Sequence, residues 1–294
     1  MSIQTPIVIA NKFESKTDFL LPNNSENKDN QDAFIFIVVP CYNEANRLNS
    51  DEFKLALDSN PQLHFLFVDD GSTDKTLTLL DDLQAYSPER IFFLSQEKNS
   101  GKAEAVRQGL LFATASGAEL VGYWDADLAT PLCDIRDFSK ILFKYHDVDV
   151  VYGSRIQLLG HKINRTFARR TVSRICSTLA RLAVGLPVKD TQCGAKMLRN
   201  TLELRNNLHQ EFTAGWLFDV ELFARLSSSI SNHEKAFYEY PLAEWNEIDG
   251  SNITTKTIVK SGFKMLKLVV QKQLKQPKLS KQKAIKIKHY KVVV

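Results

Sequence analysis

Between residues 34 and 152 the chain alternates short apolar runs with polar turns and helical patterns, and this alternation restricts its fold more than any other feature. Phe34-Ile-Phe-Ile-Val-Val39, His64-Phe-Leu-Phe-Val68, Arg90-Ile-Phe-Phe-Leu94, Glu119-Leu-Val-Gly-Tyr-Trp124 and Asp149-Val-Val-Tyr152 each read as a buried strand. Helix signals lie between them. A turn at Pro40 leads to a helix through Leu48 and Leu57, Asp74 is placed to cap a helix carrying Leu77, Leu80 and Leu83, and Gly101 to Ser116 reads as a third. Repeated strand–helix units of this size predict an α/β, Rossmann-like fold with a mostly parallel central sheet flanked by helices.

Three polar loops follow the carboxyl ends of these strands: Pro40-Cys-Tyr-Asn-Glu44, Asp69-Asp-Gly-Ser-Thr-Asp74 and Asp125-Ala-Asp127. In a parallel sheet all three converge on one edge, where open α/β sheets bind ligands. The edge then gathers Glu44, Asp69, Asp70, Asp74, Asp125 and Asp127. Carboxylates at that density repel, and a hard divalent cation between Asp125, Asp127 and a phosphate relieves the repulsion. The competing reading of Asp125-Ala126-Asp127 is a surface turn that caps the following helix.

Charge is divided along the chain. From Gly250 onward there are twelve lysines, no arginine and no acidic residue. Taking those twelve from the 38 basic residues leaves 26 against 34 acidic ones, so a mildly acidic body carries a basic tail. Such a tail implies an anionic partner. It lacks arginine and, apart from Tyr290, interleaved aromatics, which disfavours nucleic acid. Ile258, Phe263, Leu266, Val270 and Leu274 recur at helical spacing, with Lys256, Lys260, Lys264 and Lys267 on another face. This predicts a C-terminal amphipathic helix, lying on an anionic membrane surface or packed on the core. No apolar run approaches the ~20 residues that span a bilayer, and no signal peptide is visible. The expectation is a cytoplasmic, peripherally membrane-associated protein. Four scattered cysteines without a Cys-x-x-Cys pair, and scattered histidines, argue for reduced thiols and against zinc. Three segments follow: a flexible leader over 1–33, a catalytic domain over 34–250, and the basic helix and tail over 251–294.

The order of motifs resembles family 2 glycosyltransferases. Val38-Val-Pro-Cys-Tyr-Asn-Glu44, Val68-Asp-Asp-Gly-Ser-Thr-Asp74, Asn99-Ser-Gly-Lys102, Asp125-Ala-Asp-Leu-Ala-Thr-Pro131 and Gly153-Ser-Arg155 carry the likeness. Asp190-Thr-Gln-Cys-Gly-Ala-Lys196, Phe218-Asp-Val-Glu221 and Glu244-Trp-Asn-Glu-Ile-Asp-Gly-Ser251 look like the dolichyl-phosphate glucosyltransferase subgroup. The resemblance covers roughly residues 34–270 and implies a GT-A fold. It also implies inverting transfer of a sugar, glucose from UDP-glucose, onto a polyprenyl (dolichyl) phosphate with Mg2+ or Mn2+. Other donors, such as GDP-mannose, or a saccharide acceptor are the nearest alternatives. A non-catalytic nucleotide- or anion-binding protein is the alternative of another class.

Residue by residue, the resemblance implies that Pro40, Tyr42, Glu44, Val68 and Asp70 line the nucleotide. Asp125, Ala126 and Asp127 meet the donor and its metal, with Asp127 the better ligand. Lys102 reaches a phosphate or is an ordinary surface lysine. Arg155 faces the donor diphosphate, and Arg165 and Arg169, within the basic run His161 to Arg174, face the acceptor phosphate through guanidinium forks. Asp219 and Glu221 stand where sugar-accepting relatives place a base; here they bind the acceptor, fix its loop, or act as helix-start acids. One position departs from related mannosyltransferases, which place a metal-holding Gln where this chain has Ala129. The subgroup also carries a membrane anchor ahead of its catalytic domain that these 294 residues lack, which admits a relative using another polyprenyl phosphate.

Overall fold

The computed structural model of the protein describes residues 34–163, 177–178 and 180–246. The leader over 1–33, the basic helix and tail over 251–294, and Arg165 and Arg169 lie outside the described residues.

Five strands follow the apolar runs: β1 (Ile35–Cys41), β2 (Leu63–Asp69), β3 (Ile91–Ser95), β4 (Leu120–Trp124) and β5 (Val150–Ser154). Between them run α1 (Ser50–Ser59), α2 (Thr76–Tyr86), α3 (Lys102–Ala115) and α4 (Asp134–Lys144). The remainder comprises β6 (Lys162–Ile163), β7 (Ala195–Arg199), α5 (Leu202–Leu208), a 3-10 turn Gly215–Leu217, α6 (Phe218–Ser229), α7 (His233–Ala236), β8 (Phe237–Pro241) and β9 (Glu244–Trp245). The main sheet has the order β3-β2-β1-β4-β7-β5-β8. All its pairings are parallel except those of β7, which runs antiparallel to both β4 and β5. β6 and β9 form a separate parallel ribbon.

Local chemistry explains the helix ends. Asn49 caps α1 by accepting from the Asp51 amide at 3.2 Å, and Asp51 and Glu52 complement the positive end of its dipole. Thr201 caps α5 in the same way through the Leu204 amide. Asp74 does not sit at the cap position of α2, which Lys75 occupies. It instead joins two loops, accepting from the Thr76 amide at 3.0 Å and from the Ala45 amide at 3.1 Å.

Side-chain alternation along the strands builds one core on each face of the sheet. One packs Val38, Val68, Val121 and Tyr123 against α3 and α6; the other packs Ile37, Phe65, Phe67 and Trp124 against α1, α2 and α4. Phe53 of α1 sits edge-on to Phe65 and Phe67 at ring separations of 5.1 and 5.0 Å. Full burial of such a side chain contributes about 1.5–3 kcal/mol, so two sandwiched layers give a sheet rigid enough to position loops.

Candidate active site

The strand order reverses at β1, whose neighbours β2 and β4 carry the chain in opposite directions across the sheet. A crevice opens at the carboxyl ends of strands around such a switch point. The loops that follow β1 and β2 are stitched together there. Asn43, with φ of 54°, donates its amide to Ser72 Oγ at 2.9 Å and accepts from the Thr73 amide at 2.8 Å. The Glu44 amide donates to Thr76 Oγ1 at 2.8 Å. Tyr42, 46% exposed, stands at this rim. Pro40 and the fully buried Val68 form its floor at the ends of β1 and β2.

Asp70 reaches from β2 to the start of α3. Its carboxylate accepts from the Ser100 amide at 2.6 Å and the Gly101 amide at 2.8 Å, and burial raises its pKa. It therefore pins the Asn99–Lys102 loop and is not a bare carboxylate. The close approach demands Gly71: at φ of 72°, a Cβ there would lie 2.7 Å from the Lys98 carbonyl carbon. Pinning sets the direction of Lys102, whose Nζ lies 2.5 Å from Asp125 Oδ1. Burial opposes the lysine charge, but Asp125, Asp219 and Asp127 outweigh it and raise the pKa.

Asp125 and Asp127 emerge from β4 on a tight turn. The Leu128 amide donates to the Asp125 carbonyl at 3.2 Å, and Leu128 itself has φ of 55°. On its other side Asp125 rests on Gly194, where an added Cβ would fall 1.9 Å from Asp125 Oδ2. Glu44, nearly buried, holds Arg47 through two bonds of 2.9 and 2.6 Å. That pairing, opposed by burial and reinforced by Asp127 and Asp125, raises the arginine's pKa. Arg47 is thus a second cation beside the acidic turn.

The other half of the site is built from closed pairs. Arg155, following β5, forms a fork with Asp190 at 2.6 and 2.7 Å, its amide donates to the same carboxylate at 3.0 Å, and its guanidinium lies 5.2 Å from the Trp245 ring. Lys196 on β7 is fully buried, 2.7 Å from Asp219 Oδ1 and close to the Cys193 carbonyl. The Tyr123 hydroxyl donates to the same Asp219 oxygen, and burial together with Asp219 pushes the phenol's pKa well up. Glu221 accepts from the Thr213 amide at 2.8 Å, the Ala214 amide at 2.7 Å and Arg225 at 2.6 Å. It fixes the loop that leads into α6.

A magnesium or manganese ion requires oxygen donors that are not already committed. Asp127 Oδ1 accepts from the Ala129 amide at 3.1 Å, while Oδ2 receives no hydrogen bond among the described residues. Burial, then Asp125, raises the Asp127 pKa: two bare charges are disfavoured here and a cation offsets that cost. Among the described residues no three His, Cys, Asp or Glu side chains gather as a metal shell. Two carboxylates on one turn still fit a hard cation that takes its remaining ligands from phosphate and water.

The structure places Tyr42, Glu44, Asp70, Lys102, Asp125, Ala126 and Asp127, each named from the sequence as a candidate, along one edge of the sheet. Sequence reasoning did not foresee Arg47, Asp190 or Lys196 as members. Arg47 stands three residues after Glu44, the spacing of a helix-face ion pair, and that was a readable signal. Asp190 and Lys196 find their partners across the sheet, and local spacing does not show it.

Comparison with known proteins gives the family and the fold. The model of Glycosyl transferase family 2 matches residues 36–221. A dolichyl-phosphate beta-glucosyltransferase of Trichomonas vaginalis is 30% identical over 255 residues, covering 82% of this chain and 75% of its own. The Saccharomyces cerevisiae dolichyl-phosphate beta-glucosyltransferase is 30% identical, covering 79% and 73%. The polyprenol monophosphomannose synthase of Mycolicibacterium smegmatis is 26% identical, covering 74% and 82%. Among solved structures, glucosyl-3-phosphoglycerate synthase from Mycobacterium tuberculosis in complex with UDP superposes with a TM-score of 0.58 at 18% identity, covering 82% of each chain. The likeness places the fold in the GT-A class.

Proposed function

From the premise that this chain belongs to glycosyl transferase family 2 and is a glycosyltransferase, we propose that it moves glucose from UDP-glucose onto a polyprenyl or dolichyl phosphate with inversion. The observation that carries the reading is the convergence at one sheet edge of the Asp125–Asp127 turn with the cations Lys102 and Arg47. An edge that mixes hard oxygen donors with cations suits a nucleoside diphosphate and its metal. Relatives named as dolichyl-phosphate beta-glucosyltransferases support the sugar and the acceptor.

In this reading Tyr42 and the Val68 floor receive the base, while Asp125 accepts from the ribose. Lys102 turns from Asp125 to the diphosphate oxygens. Asp127, with Asp125, holds a magnesium or manganese ion, which when bound neutralises charge on the departing UDP. Arg155, oriented by Asp190 and Trp245, serves the donor diphosphate, and Arg165 and Arg169 are assigned by their motif to the acceptor phosphate.

The partners of Asp219 and Glu221 fit that acceptor class. Asp219 is spent on Lys196 and Tyr123, and Glu221 on Thr213, Ala214 and Arg225. Both are committed to contacts within the fold. A lipid monophosphate needs no general base, because its second pKa near ~6 leaves it ionised at neutral pH. Its oxygen attacks the anomeric carbon as the bond to the diphosphate breaks, and the residues named above contribute position and electrostatics. The test is incubation of the full chain with a panel of nucleotide sugars and a short prenyl phosphate, with products read by mass spectrometry. A glucosyl prenyl phosphate formed only with UDP-glucose is expected; transfer from GDP-mannose, or to free sugars, would contradict the reading.

A further inference from the structure

We propose that the Leu158–Leu159 turn is a membrane-contact element that enters an anionic lipid surface. The inference rests on the lipid-borne acceptor proposed above. The chain leaves the carboxyl end of β5 at Ser154, travels outward through Arg155 and turns back at Gly160, where φ is 84°. The His161 amide closes the turn on the Leu158 carbonyl at 3.1 Å. Both legs are anchored: the Leu242 amide donates to the Ser154 carbonyl at 3.0 Å, and the Lys162 amide to the Ala243 carbonyl at 2.9 Å. The His161 ring contacts the Leu242 carbonyl, and the β6–β9 ribbon continues the return leg.

A turn braced in this way has no internal reason to hold leucine at its tip. Leu158 is 44% exposed and Leu159 fully so. Other exposed aliphatics, such as Leu55, Leu182 and Leu202, are single residues scattered over the surface, which is ordinary for a soluble face. Leu158 and Leu159 are consecutive and stand at the edge of the sheet that carries the proposed chemistry. Their charge context selects the partner. From Arg155 through Lys189 the sequence holds eight Lys or Arg residues and no acidic one, and Lys162 is exposed beside the turn. Apolar tips flanked by cations match an anionic bilayer, in which leucine enters the acyl boundary and lysine stays with the headgroups. A protein partner with an acidic apolar groove is the rival occupant.

The test compares the full-length wild type, Leu158→Ser/Leu159→Ser and, from the opposite edge of the sheet, Leu202→Ser. Each is floated with vesicles of phosphatidylcholine containing phosphatidylserine and assayed on two acceptors: a long polyprenyl phosphate in those vesicles, and a water-soluble short prenyl phosphate. The double variant is expected to bind vesicles about tenfold more weakly, to lose transfer to the long acceptor in parallel, and to keep both its melting temperature and its transfer to the short acceptor. Leu202→Ser should match wild type throughout. Unchanged vesicle binding by the double variant, or an equal loss in Leu202→Ser, overturns the inference. Failure of the wild type itself to glycosylate either acceptor would instead count against the proposed function, and the vesicle comparison would still report on the turn.

Discussion

The two halves of the sheet treat charge differently. In the half built from β1 to β4, carboxylates stand at the strand ends with donor capacity left over: Asp127 has an oxygen without a hydrogen bond among the described residues, and Asp125 is held only by a partly exposed lysine. In the half built from β5, β7 and α6, acids are matched: Arg155 with Asp190, Lys196 with Asp219, and Arg225 with Glu221. The first arrangement is costly without a ligand and suits a site that fills and empties. The second is satisfied internally and suits a frame, one that also orients Arg155. Acidity therefore does not mark a functional residue here; unspent acidity does.

The contrast predicts where activity and stability separate. The largest effect is expected for Asp127→Ala, which should lower sugar transfer on the order of a thousandfold while the melting temperature stays near wild type, since the side chain's bond in the fold is to the Ala129 amide. Lys196→Met should do the reverse. Removing one member of a buried pair costs about 3–5 kcal/mol, measurable by urea unfolding, and activity per folded molecule should fall much less than in Asp127→Ala. If Lys196→Met unfolds like wild type but loses transfer, the second half is not merely a frame. Gly194→Ala probes the seam between the halves. A methyl group 1.9 Å from Asp125 Oδ2 must displace that carboxylate, and about a hundredfold loss of transfer is expected from such misplacement, read as kcat at saturating donor.

The last effect concerns Asp134, at the start of α4 on the frame side of the acidic turn. Burial, with Asp137 nearby, raises its pKa from 3.8 to about 6. Between those values the folded state holds the proton more firmly than the unfolded chain, so stability falls as pH rises through that window. Asp134→Asn should therefore stabilise the protein by as much as about 3 kcal/mol above pH 6 and show no difference below pH 3.8. A stabilisation that persists in acid would assign the effect to something other than this proton.

The first half was largely legible from sequence, and the second was not. Strands β1 to β5 and their loops announce themselves because apolar runs and turn residues are local signals, and a parallel sheet then fixes where the loops meet. The antiparallel β7 escaped notice because Ala195-Lys-Met-Leu-Arg199 carries a lysine, and partners distant in sequence, Asp219 foremost, make that lysine tolerable inside. Asp219 and Glu221 were likewise read with open roles; Asp219 meets Lys196 and Tyr123 on strands of the sheet, which periodicity does not show, whereas Arg225 stands four residues after Glu221 on α6, a readable helix-face pair. Asp70, expected to meet the nucleotide, also holds two amides ahead of α3, a bond that depends on how closely Gly71 lets the loops approach and that local spacing does not show.

The most direct test of the account is calorimetric titration of UDP into the full chain, with and without manganese, in wild type and in Asp127→Ala. Binding that requires the cation in wild type and disappears in a folded Asp127→Ala variant is the predicted result. UDP that binds wild type equally well without manganese, or binds the variant as tightly as wild type, would contradict the claim that unspent carboxylates on the β4 turn hold the metal and the donor.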